Sequence, residues 1–161
     1  MSQAVEVRTL DNQDLLEHGD MLRELLLENA RVNLPNAEEL AVMAESWFAN
    51  LARFVDDGSA VALGTFEGGS LKGFVWAYRR DVSGHERMHL GHIVVAPDAR
   101  SRGLGQRLLE GVENAARDAG ITTIELMTSI DNAAASRFYA ANGFVATRVQ
   151  MEKDLSVPGG S

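Results

Sequence analysis

The sequence predicts an α/β domain on a mixed central sheet of six to seven strands with about four helices, in the order β-α-α-β-β-β-α-β-α-β(-β). Three observations predict it. Two long amphipathic runs lie near the N-terminus. Three β-rich runs follow, the first two separated by a glycine pair. A strand-turn-helix-strand unit in the second half then calls for a right-handed crossover.

Taken in order, "AVEVRTL" (4–10) alternates apolar and polar residues and reads as a strand. From Asp14 to Arg31 leucines recur at helical spacing, with Gly19 weakening the first turn. After Pro35 and Asn36 a second helix is expected from Ala37 to Val55, stopped by "DDGS". "AVALGTF" (60–66) and "LKGFVWAYRR" (71–80) flank Gly68-Gly69, a two-residue hairpin signal. "HLGHIVVAP" continues the meander to Pro97. The next helix runs from Leu104 to Ala119, with Leu104, Leu108, Val112, Ala115 and Ala119 on its apolar face and Gly120 beyond its end. "TTIELMT" is a strand, "NAAASRFYAANG" a short helix, and "FVATRVQMEKDL" one or two closing strands. One domain is expected over 1–155, with a flexible tail at 156–161.

Bulk properties narrow the function. The chain has no cysteine, which excludes disulfides and thiolate metal sites and favours a cytoplasmic location. No apolar run reaches the roughly 20 residues needed to span a bilayer, and no signal-peptide pattern opens the chain. The net charge of −8 sits entirely in residues 1–60, which hold 12 acids against 4 bases. Such acidity argues against a nucleic-acid partner. It suits a cationic small substrate, or simply a solvated helical surface.

His85-Glu86-x-x-His89, with His92 following, spells a zinc-protease pattern. That pattern needs two histidines on one helix face. Here β-rich sequence surrounds it, and on a strand His85 and His89 share a side while His92 points away. No metal site is expected.

The stretch "IVVAPDARSRGLGQRLLEG" carries more chemistry. A strand runs through a glycine turn into an amphipathic helix whose first N–H groups have no partner and whose dipole is positive there. Gly103 and Gly105 permit close approach by a ligand, while Arg100, Arg102 and Arg107 add positive charge. Together these features suit a phosphate or pyrophosphate. Leu108 stands where a dinucleotide-binding fingerprint needs its third glycine, and no Walker sequence is present.

Arg100-x-x-Gly103-x-Gly105 resembles the acyl-CoA motif of the GNAT acetyltransferase superfamily. Asn132-x-x-Ala135-x-x-Phe138-Tyr139-x-x-x-Gly143-Phe144 is similar to the family's second motif. The resemblance covers residues 4–155 and implies acetyl-CoA as cosubstrate. It implies that the backbone of Ile93, Val94 and Val95 pairs with the pantetheine arm. It also implies that N–H groups from Ser101, Arg102, Gly103, Leu104, Gly105 and Gln106 hold the pyrophosphate. Asn132 is expected to bind pantetheine, Ala135 to leave room for it, and Tyr139 to meet the thioester sulfur. An N-cap role for Asn132 and a core role for Tyr139 are the plain alternatives.

The reaction so implied is direct acetyl transfer to the primary amine of a small molecule or peptide. A lysine-like ammonium must first lose its proton, at a cost of roughly 4–5 kcal/mol at neutral pH, so a base is expected. His89 is placed where histone-acetylating relatives carry a glutamate. His92, Glu86 and Glu125 are alternatives, as is a water chain. Met127 stands where relatives acting on protein N-termini place a glutamate. The competing class is a GNAT-fold protein that binds acyl-CoA as a sensor without transfer. Dimers are common in the family, so a homodimer is a further expectation.

Overall fold

A computed structural model describes residues 3–34, 38–156 and 158–159. Five strands form one sheet in sequence order: β1 (Val5–Thr9), β2 (Ala60–Glu67), β3 (Ser70–Val82), β4 (His85–Val95) and β5 (Ile124–Glu125). The first four are antiparallel neighbours; β5 joins β4 in parallel. The helices are α1 (Asn12–Glu17), α2 (Gly19–Asn33), α3 (Leu40–Asp56), α4 (Leu104–Asp118) and α5 (Ala133–Ala141).

The sheet is covered on both faces. On one, Leu22, Leu25 and Leu26 of α2 and Leu51 of α3 join Phe66, Phe74 and Trp76. On the other, Leu108, Leu109 and Val112 of α4 pack with Val75, Ala77, Met88 and Leu90. Pleating explains the division, since alternate β3 residues enter opposite clusters. Leu104, Leu108 and Val112 of α4 are buried as expected and Ala119 packs half-buried beside them, while Leu109 and Ala116 join the stripe in place of Ala115.

Turn chemistry sets the meander. Gly68 and Gly69 have φ of 59° and 82°, as a two-residue hairpin of this kind requires. Ser83 and Gly84, at 55° and 84°, make a second tight turn. Strand β4 therefore starts at His85, four residues before the predicted start. The predicted helix over Asp14–Arg31 is two helices. Asp11 and Asp14 form a reciprocal cap that starts α1, and the chain breaks at His18 before Gly19. The expected start of the next helix at Ala37 lies outside the described residues, as do parts of the predicted tail.

Two expectations about the sheet are corrected. Among the described residues there are five strands and five helices, where six to seven strands and about four helices were expected. Strand β5 is only two residues long, and "FVATRVQMEKDL" forms no strand. A strand needs a hydrogen-bonding neighbour. From Val145 to Ser156 every residue is exposed, so the segment finds none in its own chain.

The third correction concerns register. Ala77 pairs with Leu90 but Trp76 pairs with His92, so Gly91 is the extra residue of a β-bulge. A Cβ at Gly91 would stand 2.6 Å from Trp76 Cε2, so only glycine fits beneath that indole. The bulge reverses the side-chain alternation beyond it. His92 therefore shares the α2–α3 face with His89, instead of pointing to the opposite side.

Candidate active site

The α4 N-terminus is built as the sequence leads one to expect. Gly103 is its N-cap at φ 74°, with no side-chain cap, and Ser101 also lies in the left-handed region at 63°. Arg107 N–H donates to Gly103 O (3.1 Å), so the N–H groups of Leu104, Gly105 and Gln106 stand ahead of the helical ladder. A Cβ on Gly103 would meet no protein atom within 4 Å. Backbone conformation, rather than crowding by the protein, is what calls for glycine there.

The nearby arginines are less free than composition suggests. Arg102 grips Glu67 at 2.6 Å, an ion pair that holds the carboxyl below its usual range and the guanidinium above its own. Arg107 reaches back to Val5 O (3.4 Å). Arg100 donates from Nε to Val95 O (3.2 Å) and lies 3.6 Å from Glu28. Positive potential for an anion therefore comes first from the α4 backbone, with Arg100 as the nearest adjustable cation.

Beside this cradle the sheet opens. β5 pairs with β4 only at Met88↔Ile124 and His89↔Glu125, whereas β4 continues to Val95. Ile93, Val94 and Val95 thus present backbone with no β5 partner, directly before the anion site. The fit to a pantetheine-diphosphate is good: an open strand edge leads to a helix start with free donors.

Deeper on β4, four aromatic groups wall the face. Phe54 stacks on Tyr78 (4.8 Å between centroids), Trp76 lies beside both, and His89 tilts against Tyr78 (5.1 Å). His89 Nδ1 lies 3.5 Å from Glu125 Oε2. Both His89 Nδ1 and Glu125 Oε1 are buried without a hydrogen-bond partner. A carboxylate at that position favours the tautomer with its proton on Nδ1, which leaves Nε2 as the basic atom.

The other base candidates separate from this pair. His92 accepts a hydrogen bond from Trp76 Nε1 at Nδ1 (3.0 Å), and burial pushes its pKa down to about 4. It is a neutral imidazole with its proton on Nε2, and its acceptor nitrogen, Nδ1, is already committed to the indole. Glu86 pairs in register with Asp81, on the face opposite His89, and lies 3.8 Å from Arg79. The H-E-x-x-H pattern is on a strand, where residues four apart are roughly 13 Å distant. That is too far for one ion with bonds near 2.1 Å.

Asn132 is the N-cap of α5. Its Oδ1 accepts from Ala135 N–H and its Nδ2 donates to Asn33 Oδ1, both at 3.1 Å. An amide retains one lone pair and one N–H beyond these bonds, so capping and ligand contact are compatible. Tyr139 is half-buried between Phe138 and Phe144 (5.4 Å each), and desolvation raises its pKa to about 12. Phe138 reaches α4, where a Cβ on Gly105 would lie 3.5 Å from its ring.

The model of the "Acetyltransferase (GNAT) family" matches residues 20–144. The chain belongs to the GNAT acetyltransferase family. It is 34% identical over 83 residues, 46% of its length, to an aminoalkylphosphonate N-acetyltransferase of Salmonella typhimurium. It spans 54% of that relative, about half its length. Among solved structures, a GCN5-related N-acetyltransferase from Ralstonia eutropha superposes with a TM-score of 0.80 at 23% identity, over 96% of this chain and 100% of that one. A PaiA N-acetyltransferase from Thermoplasma acidophilum in complex with coenzyme A superposes at 0.72 and 21%, over 91% and 93%. At these identities the superpositions establish the GNAT fold.

Sequence reasoning named Glu125 only as a substitute base and missed its pairing with His89. That pairing depends on parallel register between β4 and β5, for which no local residue is a signal. Arg80 was missed altogether. It faces Arg87 in register and lies 3.6 Å from Glu125.

Proposed function

We propose that the protein transfers an acetyl group from acetyl-CoA directly to the primary amine of a small-molecule or peptide acceptor. The observation that carries this reading is the left-handed glycine turn into α4 beside the end of β4 that has no β5 partner. When bound there, the cosubstrate supplies an activated thioester. The N–H groups from Gly103 to Gln106 hold its diphosphate, and those near Val94 and Val95 steady the developing oxyanion. His89, oriented by Glu125, takes the proton from the acceptor ammonium through Nε2.

Tyr139 faces the leaving sulfur. With its pKa near 12 the phenol keeps its proton at every physiological pH. Full transfer to a thiolate of pKa near 8.5 would be uphill by roughly 5 kcal/mol. Its contribution is therefore a hydrogen bond donated to the sulfur as negative charge grows there.

The charge around His89 bears on the acceptor. Of the twelve acids in residues 1–60, three are held in ion pairs among the described residues: Asp14 with Arg8, Glu45 with Arg23, and Glu28 with Arg31 and Arg100. The rest of that third is a solvated acidic surface, and the groups beside His89 carry the opposite charge. On the His89 face stand Arg80 and Arg87, and Arg87 Nε is buried without a partner. An amine bearing an anionic group, such as the aminoalkylphosphonates named for the Salmonella relative, suits this end of the cleft.

A thiol-release assay over aminoalkylphosphonates, polyamines, amino sugars and lysine peptides tests the reading. Turnover of the anionic amines first supports it. Preference for polyamines would overturn the acceptor assignment. Tight coenzyme A binding with no release on any amine would favour the acyl-CoA sensor.

A further inference from the structure

Helix α5 carries Asn132 and Tyr139 to the cleft, yet none of its nine residues is buried. Phe138 packs its second half against α4, which leaves the placement of its N-terminus to polar contacts. One such contact comes from α2. Asn132 Nδ2 donates to Asn33 Oδ1 at 3.1 Å, across 99 residues of chain. Asn33, in the last turn of α2, is itself held one turn back. Its Nδ2 donates to Asn29 O at 3.0 Å and to Asn29 Oδ1 at 3.2 Å. With both donors used there, the Asn33 amide must turn its oxygen toward Asn132. At the other end of the Asn132 amide, Oδ1 accepts from Ala135 N–H at 3.1 Å. A planar group held at both ends can aim its remaining N–H in one direction only.

A second tie leaves the same end of α2. Glu28 Oε1 lies 3.6 Å from Arg100 Nη2, and Arg100 Nε donates to Val95 O at 3.2 Å. Glu28 and Asn33 stand about 7.5 Å apart along the helix axis. The C-terminal half of α2 therefore touches the N-cap of α5 and the turn that enters α4. These are the elements that follow β5 and β4, the two strands that part beyond His89 and Glu125.

We propose that Asn33 is a positioning residue for the coenzyme and that it acts through Asn132. It orients the free N–H of Asn132 for an amide carbonyl of the pantetheine arm. With Glu28, it sets the spacing between the α5 N-cap and the α4 turn. The inference rests on the coenzyme reading above. Asn33 touches no reacting atom, so its effect falls on coenzyme affinity and not on proton transfer.

Calorimetry with coenzyme A reads that effect. Asn33→Leu keeps the size of the side chain without its hydrogen bonds and should weaken binding by roughly 3- to 10-fold. Asn33→Asp keeps an oxygen for Asn132 and should restore most of the loss. The loss should vanish in chains that already carry Asn132→Ala, where Asn33 has nothing to orient. In the transfer assay, Asn33→Leu should raise KM for acetyl-CoA and leave the pH–rate profile in place. Equal losses with and without Asn132→Ala, or no rescue by Asn33→Asp, would reduce Asn33 to a support of the fold and overturn the inference. Tighter binding by Asn33→Leu would overturn it too, because the bond to Asn132 would then be closing the site. A wild-type chain that does not bind coenzyme A would remove this inference together with the proposed function. Binding indifferent to Asn33→Leu would remove this inference alone.

Discussion

The region from β1 through α4 and the region after Ile121 are assembled differently. The first holds every fully buried residue among those described, including Phe74, Leu22, Leu108 and Val112 at 0% exposure. The second has none: α5 buries no residue, β5 is two residues long, and the segment after Phe144 is exposed. Yet the second region brings Glu125, Asn132 and Tyr139 to the site. The comparison teaches that the scaffold is held by its own packing, whereas the elements that line the candidate cleft have few buried contacts to hold them.

Substitutions sharpen this contrast. His89→Ala should lower kcat by roughly 10²–10⁴-fold. It should also flatten the limb of the pH–rate profile that rises as a base sheds its proton. Leu108→Ala, in the packed half, should cost about 2–5 kcal/mol in urea unfolding. Arg137→Ala, on the exposed side of α5, should change stability by less than about 0.5 kcal/mol. If the two costs were equal, the contrast would fail.

His92 gives the packed half a pH signature. Its folded pKa of about 4 lies below the ordinary 6.5, so the unfolded chain binds the proton more readily between these values. The stabilisation is complete above pH 6.5 and declines as pH falls toward 4, by at most about 3 kcal/mol. Urea melts at pH 7 and pH 5 should show that loss in the wild type and a smaller one in His92→Gln.

Two further changes probe the cleft. Tyr139→Phe should reduce kcat by roughly 10²-fold while KM for acetyl-CoA stays put. Gly103→Val should keep the fold, because its Cβ has open space. A β-branched residue at φ 74° should still weaken coenzyme A binding by roughly 10- to 100-fold in calorimetry.

The legible parts of the molecule were those encoded by local backbone demands. Gly68-Gly69 announced its hairpin, and Gly103-x-Gly105 announced the turn into α4. Features set by distant pairing were not legible. The bulge at Gly91 exists because Trp76 of the neighbouring strand lies over it, and it moved His92 to the His89 face. The link between His89 and Glu125 needs a register 36 residues apart in sequence. The alternation of 144–155 was read as one or two closing strands, but the segment forms none, because a strand needs a pairing partner that local alternation does not supply. Ser83-Gly84 was a readable turn signal, hidden by the zinc-like pattern that follows it.

The central claim is that the α4 N-terminus grips the coenzyme's diphosphate. Amide nitrogen–proton NMR of the chain titrated with coenzyme A tests it most directly. The largest shifts should fall on Gly103, Leu104, Gly105 and Gln106, with smaller ones from Ile93 to Val95. Saturable binding that leaves those four amides unmoved would contradict it.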